Sequence, residues 1–524
     1  MSFFRSILHR SQTSDLANTA APAEIEEPGI GASLHDRTAW IHAKMQPAFD
    51  LIIHEFQAAG GLPCAVVYIA SMIDLETLQD NILHALTAPG SASSREELVR
   101  QVFETRQLSV AACAIDTRLS SALNAVLEGN IVLLIDEEPR IAMYPLASFE
   151  KRQVSESKNE GVIRGPREAF VEDVGTNITM IRRRVKRSEL KLLQLHVGEY
   201  TKTDVVVFYI EGLCKPELVE EVRSRIENIR IDSIIGSSYL EECIEDNPLS
   251  VFPQMQNTER VDTASSALLE GRVIIMTNGT PIALIAPATF FVFIQSAEDY
   301  YERTFTSSWI RWIRFLYLIL AVLLPSIYIA LTTFHPEMIP TSLLISLAAA
   351  REGVPFPAIV EALIMEITFE ALREASIRIP SSIGQAVSIL GALVIGEAAV
   401  KAGIVSAPMV IVVALSGISS YIVPNFSMGL SLRLLRFPIM FLAANFGVIG
   451  IGAGITIIML HMVSLRSFGI PYFAPIAPLS MNEMKDVFWR SSRRYMEERP
   501  TLFGAAPGKR MSYRRSPRNE EDSD

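Results

Sequence analysis

Nearly every long apolar run in this chain lies between Trp312 and Val463, behind an N-terminal half that mixes charged and apolar residues. Crossing the hydrocarbon of a bilayer as a helix takes about 20 apolar residues. Stretches 313–334, 383–403, 404–423 and 437–463 meet that requirement, the second despite Glu397 and Lys401. A chain that is 49% hydrophobic yet 20% charged can satisfy both demands only by segregating them. The expected fold is therefore a multi-span α-helical membrane protein with a large N-terminal cytoplasmic α/β region. Trp309, Arg311, Trp312 and Arg314 precede the first run and read as an aromatic and basic interfacial belt.

The stretch between the first two runs, 338–379, is ambiguous. Residues 338–350 are apolar but short, and 356–379 are amphipathic. Val360, Leu363, Ile364, Ile367 and Ala371 share one side of a helix, with Glu366, Glu370, Arg373 and Glu374 clustered beside them. A re-entrant pair and two further crossings both leave an even number of spans, so both termini lie on one side. The tail (Arg490, Arg493, Arg494, Arg499, Lys509, Arg510, Arg514, Arg515) puts that side in the cytoplasm. Arg433 and Arg436 then fall on the far side, against the scheme.

Ionisable residues at membrane depth are costly unless paired or wetted, and so default to functional candidates. The candidate pore or gating set is Glu366, Glu370, Arg373, Glu374, Glu397 and Lys401. Glu397 and Lys401, four residues apart, form a structural pair or part of a gate. Glu366 and Glu370 face an aqueous path, where a ring of carboxylates would attract cations, or sit among headgroups on an interfacial helix. Gly450 and Gly454, in a run with Gly447 and Gly452, have the spacing that permits close helix contact. Asn445 and His461 read as bonded structural groups.

Before the membrane part, a unit occurs twice. Ala65-Val-Val-Tyr-Ile with its following helix resembles Val205-Val-Val-Phe-Tyr-Ile with its own. Val126-Leu-Glu-Gly-Asn-Ile-Val-Leu-Leu-Ile matches Leu268-Leu-Glu-Gly-Arg-Val-Ile-Ile-Met-Thr at nearly the same offset. Each copy reads as strand, helix, further helices and a terminal hairpin. Asn278-Gly279 supplies the positive-φ turn of the second hairpin, whereas Asp136-Glu-Glu implies a different closure in the first. The expected domains are a disordered leader (1–33), two tandem related α/β subdomains (34–160 and 161–305), the membrane domain (306–470) and a basic cytoplasmic tail (471–524). The basic run Ile181-Arg-Arg-Arg-Val-Lys-Arg is either a solvated face or a surface for anionic lipid or an acidic neighbour.

A net charge of -11 argues against nucleic acid as a partner. Cys64, Cys113, Cys214 and Cys243 lack CxxC spacing and read as thiols of a reducing compartment. Phosphate-loop, HExxH and GxSxG signatures are missing, and the eight histidines lack metal-ligand spacing. No enzymatic activity, catalytic residue, metal or cofactor is expected.

Several segments resemble the GerA-type spore germination receptor A subunits. They are Gly165-Pro-Arg-Glu-Ala-Phe, Thr176-Asn-Ile, Leu269-Glu-Gly-Arg-Val, Glu298-Asp-Tyr-Tyr-Glu-Arg, Arg351-Glu-Gly-Val-Pro-Phe-Pro, Glu370-Ala-Leu-Arg-Glu-Ala and Gly391-Ala-Leu-Val-Ile-Gly-Glu-Ala. Ala169 departs from the family's usual Gly, with a small local effect expected. The resemblance implies a multi-pass protein of the spore inner membrane. Its partners would be a transporter-like B-type subunit that senses nutrient, a C-type lipoprotein subunit and membrane lipids. It further implies a self-oligomer, a pentamer, that gates monovalent cations. The alternatives are an accessory or scaffold subunit linked to dipicolinate release, and a small-molecule transporter.

Overall fold

The computed structural model describes residues 26–504 apart from 30, 60, 89–93, 106–107, 109–111, 148–156, 158–159, 379–393, 482, 493–495, 497–498 and 501. The expected leader falls almost wholly outside the described residues, as do half of the expected span 383–403 and Arg493, Arg494, Lys509, Arg510, Arg514 and Arg515. Contacts group the chain into two compact units. One comprises Met1–Arg152, Val174–Gln194 and Val206–Lys215, the other Gln153–Asp173, Leu195–Val205 and Pro216–Asp524.

The strand-type runs of the N-terminal half fold as antiparallel strands. In the first sheet, β1 (Leu51–Ala58), β2 (Leu62–Ile69), β3 (Ala114–Asp116), β4 (Ile131–Ile135) and β5 (Ile141–Tyr144) take the order β1-β2-β4-β5-β3. Successive side chains of a strand point to opposite faces. Hence β2 sends Ala65, Val67 and Ile69 against α1 (Leu34–Met45) and α2 (Leu119–Leu127), and Cys64 and Val66 against Leu78, Ile82, Leu98 and Phe103. Because both faces are covered, β4 is buried along its whole length and carries no polar residue.

The basic run ends α3 (Val174–Arg184) and is not simply a solvated or lipid-facing surface. Arg182 lies on the inner side of that helix, 1% exposed, and donates through Nε and Nη2 to Asp50 at 2.5 and 2.7 Å. A buried guanidinium needs such a partner.

The second sheet holds β6 (Leu190–Val197), β7 (Thr203–Ile210), β8 (Gln256–Thr258), β9 (Val273–Thr277) and β10 (Ala283–Ala286), in the order β6-β7-β9-β10-β8. This repeats the first order strand for strand, with α4 (Val261–Leu269) in the place of α2. The shared Leu-Glu-Gly ends α2 and α4 alike. Gly129 and Gly271 take φ of +88° and +85°, the left-handed cap that glycine reaches without strain. The first hairpin also closes like the second, contrary to expectation. Glu137 (φ 55°) occupies the left-handed position that Gly279 (φ +91°) fills in the other copy, at a cost of about 1 kcal/mol.

Gly165-Pro-Arg-Glu-Ala-Phe lies against the start of α4. Arg260 donates to the Pro166 carbonyl (3.0 Å), and the Phe170 amide donates to the Glu259 carbonyl (2.7 Å). Gly165 has φ +134°, and a Cβ there would lie 2.9 Å from the Tyr301 ring. Ala169 is buried and forms a β-bridge with Arg260, so its methyl group is accommodated. The four cysteines form no disulfide.

The C-terminal half is helical: α5 (Thr304–Thr333), α6 (Thr341–Arg351), α7 (Ala358–Arg378), α8 (Ala407–Tyr421) and α9 (Phe426–Ser464), with residues 394–401 also helical. Among the described residues, α5 and α9 are the two helices long and apolar enough to cross a membrane. The helices that cover the expected spans 404–423 and 437–463 have other bounds. At 15 residues, α8 reaches only about 22 Å, and α9 begins at Phe426.

Nor is α9 one straight helix. Gly447 has φ 60° and ψ -139°, and beyond it the chain doubles back. A Cβ on Gly454 would lie 3.3 Å from Ile439 Cγ1, a pair that a straight helix would separate by roughly 22 Å. The ends of both arms meet one stretch of chain, with Ser431 Oγ donating to the Val251 carbonyl and Ser250 Oγ 2.9 Å from His461 Nε2. The Gly450–Gly454 spacing therefore serves contact between two arms of the same chain. After the hairpin, residues 465–490 return to pack Tyr472 and Val487 among Phe252, Phe290, Phe291 and Phe293. That return joins the helices to the α/β residues before them in one unit.

Candidate functional site

A helix in water turns its apolar stripe inward and its charges outward; α7 buries charged side chains beside the apolar residues Ala358 and Ala362. Glu361, Glu366 and Arg373 are buried, while Ile367 is 61% exposed. The same inversion runs through α8 and α9, where Ser416, Ser419, Arg433 and Arg436 are buried and Ile411, Ile418, Leu430 and Phe441 are exposed. Polar groups inside and apolar groups outside suit a surrounding that is itself apolar.

At the centre of this interior stands one ion pair. Arg436 Nη1 donates to Glu366 Oε2 at 2.5 Å, and Ser416 Oγ donates to Glu366 Oε1 at 3.1 Å. The same guanidinium donates through Nε to the Ala321 carbonyl (2.7 Å) and through Nη2 to the Ser416 carbonyl (3.3 Å). One carboxylate–guanidinium pair thus ties α5, α7, α8 and α9 together. Glu366 does not face an aqueous surface, and Arg436 does not lie at the far end of its helix. Because the first arm of α9 starts beside residues 250–257, residue 436 falls midway along it. Five residues before Glu366, the fully buried Glu361 accepts from the Ser406 amide (2.9 Å), Ser406 Oγ (2.7 Å) and Arg351 Nε (3.2 Å).

The remaining candidates separate from Glu366. Glu370 pairs with the buried Arg373 one turn away. Glu374 pairs with Arg378 at 2.6 Å, and Glu397 with Lys401 at 2.5 Å, all four well exposed. Both are i,i+4 pairs on helix surfaces apart from the buried cluster, and for Glu397 and Lys401 this is the structural pair read from the sequence.

A second charged cluster sits at the base of α5. Arg311 and Arg314 do not join Trp309 and Trp312 in a belt: both tryptophans are exposed, whereas both arginines turn inward. Arg314 Nη1 meets Asp299 at 2.7 Å, and Arg311 meets Asp299 at 3.3 Å and Asp486 at 3.2 Å. Tyr300 donates its hydroxyl to Asp486 (2.6 Å), and Arg490 donates to Thr304 Oγ1 (2.7 Å). Burial pushes both the Asp486 carboxyl and the Tyr300 phenol above their usual ranges. Sequence reasoning missed Glu361, Asp299, Asp486 and the partnership of Arg436. The available signal was that arginines within an apolar run demand partners.

A family model described as "Bacillus/Clostridium GerA spore germination protein" matches residues 39–502. Among curated proteins, "Uncharacterized membrane protein YfkQ" of Bacillus subtilis is 44% identical over 90% of this chain and 92% of its own length. From the same organism, "Spore germination protein KA" is 41% identical (90% and 87%) and "Spore germination protein A1" 38% identical (88% and 94%). Among solved structures, the N-terminal domain of the A subunit of the Bacillus megaterium spore germinant receptor GerK3 is 31% identical. It aligns with 51% of this chain and 98% of that one at a TM-score of 0.40.

Proposed function

The chain belongs to the GerA family of spore germination proteins, and on that premise we propose that it is the membrane subunit of a nutrient germinant receptor, acting in an oligomeric cation channel. The observation that carries this reading is the inverted helix bundle around Glu366 and Arg436. A buried charge pair shared by four helices couples their packing, and a ligand with differential affinity for two arrangements of these helices would shift the balance between them. In this reading a B-type transporter-like subunit senses the nutrient, a C-type lipoprotein completes the receptor, and further copies of this chain surround the pore.

The hairpin supports six crossings with both termini in the cytoplasm. α5 starts beside Asp299 and ends at Phe334 and His335, next to the Gly447 turn. The arms of α9 on either side of Gly447 run about 31 and 25 Å, close to bilayer thickness. In this reading the other crossings come from the chain between α5 and α9, and the membrane is that of the dormant spore.

The test is nutrient-triggered release of monovalent cations from spores with and without this chain, across amino acids, sugars and nucleosides. Loss of release for one nutrient class is expected. Unchanged release for every class would refute the receptor role.

A further inference from the structure

The buried charges at the α7–α9 contact do not balance. Arg373, Arg433 and Arg436 are 7%, 6% and 2% exposed, and the carboxylates among them are Glu366 and Glu370. Glu366 is taken by Arg436 and Glu370 by Arg373. Arg433 lies within electrostatic reach of Arg373, Arg436, Glu370 and Tyr421, yet among the described residues it has no ion pair. Its Nε, together with Nε and Nη1 of Arg373, is sealed from solvent with no hydrogen-bond acceptor. Burying a cation without a counter-ion is heavily penalised, and among the described residues one positive charge of this cluster is unmatched.

We propose that Arg373 and Arg433 form a binding site for a phosphate anion, supplied as the headgroup of an anionic phospholipid. This rests on the membrane reading above. Guanidinium forks match phosphate oxygens in pairs, and basic pockets between membrane helices at the cytoplasmic side take anionic headgroups.

The position fits a headgroup. Arg433 stands seven residues into α9, about 10 Å from its start. The turn just before that start is fixed to β8 by Asn425 Nδ2 donating to Asn257 Oδ1 at 3.1 Å. The cluster thus lies near the end of the bundle beside the sheet. Tyr421 (60% exposed) and the half-open Glu370 mark its mouth. Ile367, Ile418, Leu430 and Leu434, all exposed, offer apolar surface nearby for acyl chains.

The full chain is placed in nanodiscs of phosphatidylcholine alone, of phosphatidylcholine with one fifth phosphatidylglycerol, or of phosphatidylcholine with added inorganic phosphate. Lipids retained on detergent extraction are counted by native mass spectrometry, and the thermal midpoint is read in each disc. The expected result is enrichment of phosphatidylglycerol and a raised midpoint in its presence. Arg433→Gln should lower the enrichment about tenfold, the effect of one charge-assisted bond. Arg433→Lys, which keeps the charge, should lower it less, and Arg378→Gln, at the exposed end of α7, should leave it unchanged. Equal retention of both lipids by the parent chain, or full enrichment in Arg433→Gln, overturns the proposal. A midpoint raised equally by inorganic phosphate overturns the lipid assignment. Failure of the chain to enter discs at all overturns the membrane reading, and the headgroup site with it.

Discussion

Replacing Glu366 by Gln keeps the shape of the side chain but removes the charge facing Arg436. The guanidinium is 2% exposed, so water cannot take the carboxylate's place. Two unit charges about 4 Å apart attract by about 4 kcal/mol at an effective dielectric of 20. Breaking a buried pair from one side costs about 3–5 kcal/mol, because the surviving charge is stranded. Set against total stabilities of about 5–15 kcal/mol, the loss is large enough to deplete folded chain from the membrane. Glu366→Gln and Arg436→Gln should each lower the thermal midpoint of the detergent-solubilised chain and its abundance in membranes. The double variant, which buries two neutral amides, should be more stable than the sum of the singles by about 1–3 kcal/mol. A Glu366→Gln chain as stable as its parent, or strictly additive effects, would refute the reasoning. Cation release by such variants then has to be normalised to the folded chain, since lowered abundance alone would mimic a gating defect.

Two further outcomes follow from the same geometry. A Cβ on Gly450 would lie 2.1 Å from the Leu442 carbonyl oxygen, whereas one on Gly452 would meet nothing within 4 Å. Gly450→Ala should therefore cost about 3 kcal/mol by forcing the hairpin arms apart, and Gly452→Ala should be neutral, as read from thermal midpoints of the two purified variants. Burial pushes the Glu160 and Glu241 carboxyls up to about 7 from an ordinary 4.5. A carboxyl whose pKa is higher when folded favours the folded state while protonated, and that advantage disappears as pH rises from about 4.5 through about 7. Midpoints measured across that window should fall with pH in the parent chain, and Glu160→Gln combined with Glu241→Gln should flatten the decline; an unchanged slope would count against buried, protonated carboxyls.

What the sequence disclosed followed from how local each signal was. Short apolar, β-branched runs and the repeated Leu-Glu-Gly are short-range patterns, so β2, β4, β7 and β9 and the likeness of the two copies could be read directly. The strand order was not legible: the likeness of the two copies implied only that both sheets would share one. The hairpin in α9 was hidden because both of its arms are apolar, and hydropathy does not record a change of direction. Only the glycines hinted at it, and they pointed to close contact without naming the partner. Glu366 was found as a charge out of place, but its environment was misjudged. An amphipathic helix reveals two faces without saying which one points inward, and in an apolar surrounding the usual answer reverses. Its partner lies 70 residues away, beyond any spacing rule. Arg311 and Arg314 were misplaced for a related reason: proximity to Trp309 and Trp312 in sequence suggested a shared belt, whereas helical periodicity turns them to the opposite side.

The helix Thr341–Arg351 bears on how the chain matures. None of its 11 residues is buried, and an isolated helix of that length is not self-supporting in water. Its hydrogen bonds hold only where competing water is excluded. During synthesis this segment has to wait for its surroundings, while the sheets can form as soon as their strands leave the ribosome. Newly made chains would then pass through a stage with finished sheets and an incomplete bundle, leaving this segment as the natural place for proteases to act on copies that fail to complete it.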